Sequence, residues 1–173
     1  MLDQLVTMID GSSLQRGALY LLSQIRGFPP AIQTVHLLAI STIMGSVVVA
    51  DLRLLGVMLT SQRASELVRR LLRWTWLALP LLFVSGIPFV LARPQRYAMN
   101  PIFRIKFLLL LPAVLVTLAL HVATLRESDF WEASTGRRIM GKVVATISLL
   151  LWVSVVLAGR WIAYADYLIP VEE

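Results

Sequence analysis

The stretch FPPAIQTVHLLAISTIMGSVVVA (Phe28–Ala50) contains no charged side chain. A helix that crosses a bilayer needs about 20 mostly apolar residues, within a range of roughly 17–25. Three further stretches pass the same test. They are Trp74–Ala92, Phe107–Leu125 with His121 neutral, and Val143–Gly159, which continues past Arg160 through Trp161–Ala165. Extending each to its natural ends predicts spans near 30–58, 72–92, 101–126 and 141–165. The fold class that follows is an all-α polytopic membrane protein, a four-transmembrane-helix bundle over residues 28–173. Pro30 and Pro101 fall in first turns, where a missing N–H leaves no bond unmade. Pro80, Pro88 and Pro112 fall inside spans and are expected to kink them.

Composition agrees with this reading. The 173 residues are 58% hydrophobic and 15% charged, with a mean hydropathy of +0.77. Soluble domains run near 45–50% apolar with glycine counted, and about 25% charged. A disordered chain, an ordinary soluble domain and a disulfide scaffold are excluded. The absence of cysteine also excludes thiolate metal sites, iron–sulfur clusters and cysteine nucleophiles. No nucleophile–base pair, phosphate loop, zinc motif or glycosidase-like carboxylate pair is present, so the chain is not expected to be an enzyme on its own. The net charge of +6 needs no nucleic acid, because basic loops meeting anionic lipid account for it.

Residues 1–27 lack the basic start and apolar core of a signal peptide. Ser12 and Ser13 are helix-cap candidates, and Leu14, Ala18, Leu21, Leu22 and Ile25 recur at helical spacing behind them. This predicts an amphipathic helix over 13–26, lying in the membrane interface or packed on the bundle's end. The 126–140 connection, with Glu127, Asp129, Glu132, Arg137 and Arg138, is expected to be polar and exposed. Seven basic residues fall on the side of the termini and nine on the other. The excess of Lys and Arg favours termini facing the periplasm, in a bacterial inner membrane.

Ionisable groups inside spans are costly, so they are the first candidates for function. Helix direction sorts them into two clusters. On the terminal side lie His36, Arg104, Lys106, Arg160 and Tyr164, with Tyr97 in the nearby loop. His36 is the natural metal or heme ligand. Arg104, Lys106 and Arg160 could neutralise heme propionates, a quinone oxygen or an anionic substrate. Alternatively His36 bonds a carbonyl and the basic residues snorkel to headgroups. On the opposite side lie Asp51, Arg53, Arg73, His121 and Lys142. Asp51 is expected to form a structural ion pair with Arg73 or Lys142. His121 is a second candidate for the metal, but not together with His36 on one iron. They sit about six and 20 residues into parallel helices, an offset of about 21 Å.

Packing positions complete the pattern. Ser41–Gly45, Thr42–Ser46–Ala50 and Ser154–Ala158 place small residues four apart, for close helix approach. Trp74, Trp76, Trp152 and Trp161 read as interface anchors. The methionines are scattered and suggest no copper–thioether site.

The segments VHLLAISTIMGSVVVADLRLLG (Val35–Gly56), NPIFRIKFLLLLPAVLVTLALH (Asn100–His121) and LLLWVSVVLAGRWIAY (Leu149–Tyr164) resemble a family of uncharacterised bacterial four-span membrane proteins. A looser similarity reaches the copper-resistance D proteins and the HemJ-type protoporphyrinogen oxidases, through His36, Lys106 and, for the latter, His121. The chain departs from the HemJ type in lacking an aromatic-rich first span, and from copper importers in lacking Met/His-rich ligands. The similarity implies heme b or copper handling. The functional expectation is a heme-b-binding redox or electron-transfer subunit using His36. The alternatives are an accessory subunit of a larger membrane complex or homo-oligomer, and a copper or small-solute transport protein.

Overall fold

The computed structural model describes residues 2–127 and 129–164, without the side chains of residues 2–5 and 163. Seven α-helices follow in order: α1 (Leu2–Ile9), α2 (Ser13–Gln24), α3 (Phe28–Leu55), α4 (Ala64–Ala92), α5 (Pro94–Met99), α6 (Pro101–Arg126) and α7 (Thr135–Trp161). A single 3-10 turn, Ile162–Tyr164, ends the described chain, and no strand occurs among the described residues. Helices α3, α4, α6 and α7 are each long and apolar enough to cross a membrane. The all-α four-helix expectation holds. Residue 165, the last of the predicted fourth span, lies outside the described residues.

The span ends differ from the predicted ones for local reasons. α3 stops at Leu55 because Gly56 takes a left-handed conformation, φ 81°. Its N–H bonds the Arg53 carbonyl, and Val57 N–H bonds Leu52, a C-terminal closure that glycine favours. α4 begins at Ala64, well before residue 72, because its first turns are amphipathic. Ala64, Leu67, Val68 and Leu72 are buried while Glu66, Arg69 and Arg70 are exposed, so the helix continues beyond the charge-free stretch. α7 begins at Thr135, where the Ser134 hydroxyl accepts from Arg137 N–H at 3.2 Å. α6 starts as predicted at Pro101, with the Asn100 side chain accepting from the Ile102 and Phe103 amides.

The four spans form a ring in which α3 packs on α4 and α7, and α6 packs on α7 and α4. Ile43, Val47, Ala50, Val68, Leu72, Ala113, Leu120, Ala145 and Trp152 make the centre. Only 22–33% of each spanning window is buried, so most apolar side chains face outward. Leu38, Leu77, Phe83, Leu108, Leu111 and Leu150 are examples. A bilayer, unlike water, accommodates that surface without cost.

Several packing expectations are corrected. Ser46, Ala50 and Ala158 are buried at helix contacts, but Ser41, Thr42 and Gly45 are exposed. Trp74 and Trp161 are about half exposed, as anchors are, whereas Trp152 is 2% exposed. Its indole N–H donates to Thr117 at 2.9 Å, which draws it into the core. The connection between α6 and α7 is not simply exposed. Trp131 is buried at 4%, under Gly141 and with its indole N–H on Thr124 at 2.9 Å. Beside it Glu132 folds back onto the start of α4. The Asp129–Arg63 and Glu127–Arg137 pairs stay on the surface.

Before the spans, Ser12 caps α2 as expected, its hydroxyl accepting from Gln15 N–H at 3.2 Å. α2 leans on α4 and buries Ala18, while Leu14 and Tyr20 remain exposed. α1 packs against α5, and Gln95 donates to Asp10 at 2.9 Å. Neither α1 nor α5 was marked by the apolar periodicity of the sequence.

Candidate functional site

Two polar levels lie inside the bundle. At the terminal level, His36 on α3 meets Ser85 on α4, with Nδ1 to Oγ at 2.8 Å. The Ser85 hydroxyl donates onward to the Leu82 carbonyl at 3.1 Å. Ser85 therefore accepts from His36, the ring carries its proton on Nδ1, and Nε2 keeps its lone pair. Among the described residues no protein group bonds Nε2. Gly86 on α4 packs beside the edge of this ring, and a Cβ there would stand at contact distance, 3.6 Å, from His36 Cε1. Lys106 on α6 lies within electrostatic reach of the His36 ring. Its side chain crosses Gly159 on α7, whose Cβ would stand 3.6 Å from Nζ. The lysine stem therefore lies against α7 at van der Waals distance.

The other terminal-side candidates are engaged elsewhere. Arg104 is exposed and donates to the Ala98 carbonyl at 3.0 Å. Arg160 donates to the Tyr164 hydroxyl at 3.0 Å and stacks over that ring. Tyr97 packs on Phe103. The geometry brings together His36 and Lys106, and adds Ser85, a hydroxyl inside an apolar span that the sequence reading left out. Its signal was present, because a serine in mid-span must find an acceptor or a partner.

The second level lies toward the α3–α4 and α6–α7 connections. Asp51 is 1% exposed and neither carboxylate oxygen has a hydrogen-bond partner. The expected ion pair is absent. Arg73 turns over Trp74, 5.5 Å from its centroid, and Lys142 is exposed. Arg53 instead ties down the α3–α4 connection through the carbonyls of Gln62 and Thr60. Sequence reasoning placed Asp51 beside available cations. It could not see that those cations sit on outward faces. Thr75, Trp76, His121 and Ser148 each bring one further buried polar atom without a partner.

The two histidines belong to different levels. His36 bonds Ser85, and the His121 ring packs edge-on to Trp76 at 6.0 Å. Those partners are nine residues apart on α4, about 14 Å along its axis. This is less than the offset worked from sequence, and still too far for both to bind one iron.

Comparison with known protein families matches residues 26–165 to a family of unknown function, DUF6644. The chain belongs to the DUF6644 family. The match takes in all four spans and both polar levels, and leaves out α1 and α2. No curated protein and no solved structure matches the chain, and nothing in these comparisons shows the copper-resistance D or HemJ-type similarity. Among the described residues of this DUF6644 chain, no three His, Cys, Asp or Glu side chains stand together as a metal site.

Proposed function

We propose that this DUF6644 protein is a membrane redox subunit that holds heme b through His36. The carrying observation is the Ser85–His36 bond, which fixes the ring and directs the proton to Nδ1. Metal-bound histidines are held in this way by a hydrogen bond from the nitrogen that does not bind. The half-buried ring offers one axial ligand, and Lys106 offers a cation for a propionate. The fit does not extend to a second histidine. Heme b supplies one-electron exchange at its iron. The chain's own part is to fix the imidazole, place a positive charge beside it, and surround both with lipid-facing apolar helices.

The test is an absorption spectrum of the full chain, purified in detergent from heme-supplemented cells, before and after dithionite. Near-stoichiometric heme with a Soret band that disappears in His36→Ala supports the reading. A colourless wild-type protein overturns it. The copper-transport alternative has no ligand cluster among the described residues to carry it. The accessory-subunit alternative is favoured by exposed Ser41 and Gly45, one turn apart on α3, because this small-residue patch serves no contact within the bundle. A defined protein that copurifies with the wild type but not with Gly45→Leu supports it.

We further propose that the protein resides in a bacterial inner membrane with its termini facing the periplasm. The chain has no cysteine, so single cysteines report sidedness directly. In intact spheroplasts Arg26→Cys reacts with an impermeant maleimide and Ser61→Cys does not. The reverse pattern places the termini inside.

A further inference from the structure

All six buried side-chain polar atoms without a partner among the described residues fall in one band of the bundle. They are both oxygens of Asp51, Thr75 Oγ1, Trp76 Nε1, His121 Nδ1 and Ser148 Oγ. Each of the four spans contributes. Several contacts fix the register. Leu54 meets Gly141, Thr117 meets Trp152, and His36 meets Ser85. Counting along antiparallel helices from these contacts puts Ser148 level with His121 and with Val47. Thr75 comes level with Ser46 and Trp76 with Gly45, about 1.5 and 3 Å from that plane. Asp51 lies four residues beyond Val47, about 6 Å toward the connections. Side chains lean toward the N-terminus of their own helix. Asp51 therefore leans inward to the band and Ser148 leans outward to meet it. The Ser148 hydroxyl is the group facing the carboxylate, short of hydrogen-bond geometry.

Such groups are rarely left empty-handed, since an unsatisfied buried polar atom keeps the cost of its lost hydration. A buried carboxylate without a cation costs more. The protein's own charges do not answer it. On α3, Arg53 is held by loop carbonyls. On α4, Arg73 covers Trp74, Arg70 bonds Gln62, and Glu66 and Arg69 are exposed. On α6, His121 packs on Trp76 and Arg126 is exposed. On α7, Arg137 pairs with Glu127, while Arg138 and Lys142 are exposed. In the connection, Glu132 bonds Ser65 and Ala64.

We propose that this band is a membrane-embedded binding site for a small monovalent cation, a proton or a sodium ion. Asp51 is its charged ligand, Ser148 and Thr75 are its neutral oxygens, and ordered water links it to Trp76 and His121. One carboxylate matches one positive charge. A divalent cation would leave one positive charge uncompensated beside this single carboxylate in the apolar interior. The inference does not rest on the heme reading, whose residues lie at the other level.

The test uses the full chain in detergent, melted in sodium chloride and in choline chloride of equal ionic strength, from neutral to alkaline pH. A ligand at 100-fold its Kd raises the melting temperature of a chain this size by about 5–10 °C. A sodium-dependent rise that Asp51→Asn abolishes and Ser148→Ala weakens identifies sodium. Radiolabelled sodium then binds once per chain. No sodium effect, but a pH-dependent shift and a protonated-carboxyl infrared band, both lost in Asp51→Asn, identify the proton. Wild-type protein indifferent to sodium and to pH over this range overturns the proposal and leaves a hydrated structural cluster. If Asp51→Asn does not fold, the wild-type ion dependence and Ser148→Ala still decide.

Discussion

Glu132 holds together two halves of the bundle that the sequence separates, and its removal gives a quantitative test. α4 has no side-chain cap of its own, since Arg63 at its N-cap position bonds none of its amides. Glu132 Oε1 instead accepts from the Ala64 and Ser65 N–H groups at 2.5 and 3.3 Å, and Oε2 from the Ser65 hydroxyl at 2.7 Å. Loss of a helix cap costs about 1–2 kcal/mol. Loss of a negative charge at a helix N-terminus adds about 0.3–1 kcal/mol. The Ser65 side chain, 1% exposed, loses its acceptor for about 1 kcal/mol more. Glu132→Ala should therefore destabilise the protein by about 2–4 kcal/mol and lower the melting temperature by roughly 5–15 °C. Glu132→Gln keeps an acceptor oxygen and should cost about 1 kcal/mol. Burial alone raises this carboxyl, but the hydrogen bonds from Ser65 and Ala64 outweigh it and hold it below the usual carboxylate range. A depressed acid contributes its stability above its unfolded pKa and loses it as the pH falls through the folded value. The wild type should lose this contribution on acidification below the usual carboxylate range, and Glu132→Gln should lack that component. Thermal unfolding in detergent, followed by tryptophan fluorescence, measures all three proteins. A Glu132→Ala protein that melts within about 1 °C of wild type refutes the reasoning.

Other outcomes follow from single contacts. A Cβ on Gly141 would lie 3.0 Å from Trp131 Cε3, and that ring is pinned by Thr124. Gly141→Ala should cost about 1–2 kcal/mol by overpacking and red-shift the tryptophan emission, whereas Gly45→Ala, which meets nothing within 4 Å, should leave the emission unchanged and melt no lower than wild type. Trp152→Phe removes the indole bond to Thr117 and leaves that hydroxyl to its bond with the Ala113 carbonyl, so chemical unfolding should show a loss of about 1–2 kcal/mol. Gly56→Ala puts a Cβ on a left-handed residue and should cost about 1 kcal/mol in the same assay.

The spans were legible because charge-free runs of bilayer length have no other stable home, and Pro101 and Ser12 marked two helix starts by local chemistry alone. The ends of α4 and α7 were less legible, because their first turns are amphipathic and continue past the apolar stretch. His36 and Lys106 could be grouped by counting depth along helices. Which helix face each residue occupies is a matter of packing, and a single sequence does not carry it. That is why Asp51 was assigned a salt bridge it does not make. It is also why Trp152 was read as an anchor, why the burial of Trp131 within the α6–α7 connection was not foreseen, and why Ser85, Thr75 and Ser148 went unmarked.

The far-reaching cap on α4 also bears on how the chain is made. The α3–α4 hairpin leaves the ribosome first, and its leading amides at Ala64 and Ser65 have no carboxylate until Glu132 is synthesised, more than sixty residues later. The first hairpin must enter the membrane with that end hydrated. It can dock in its final place only when the second hairpin follows, so the α6–α7 connection acts as a late latch on biogenesis.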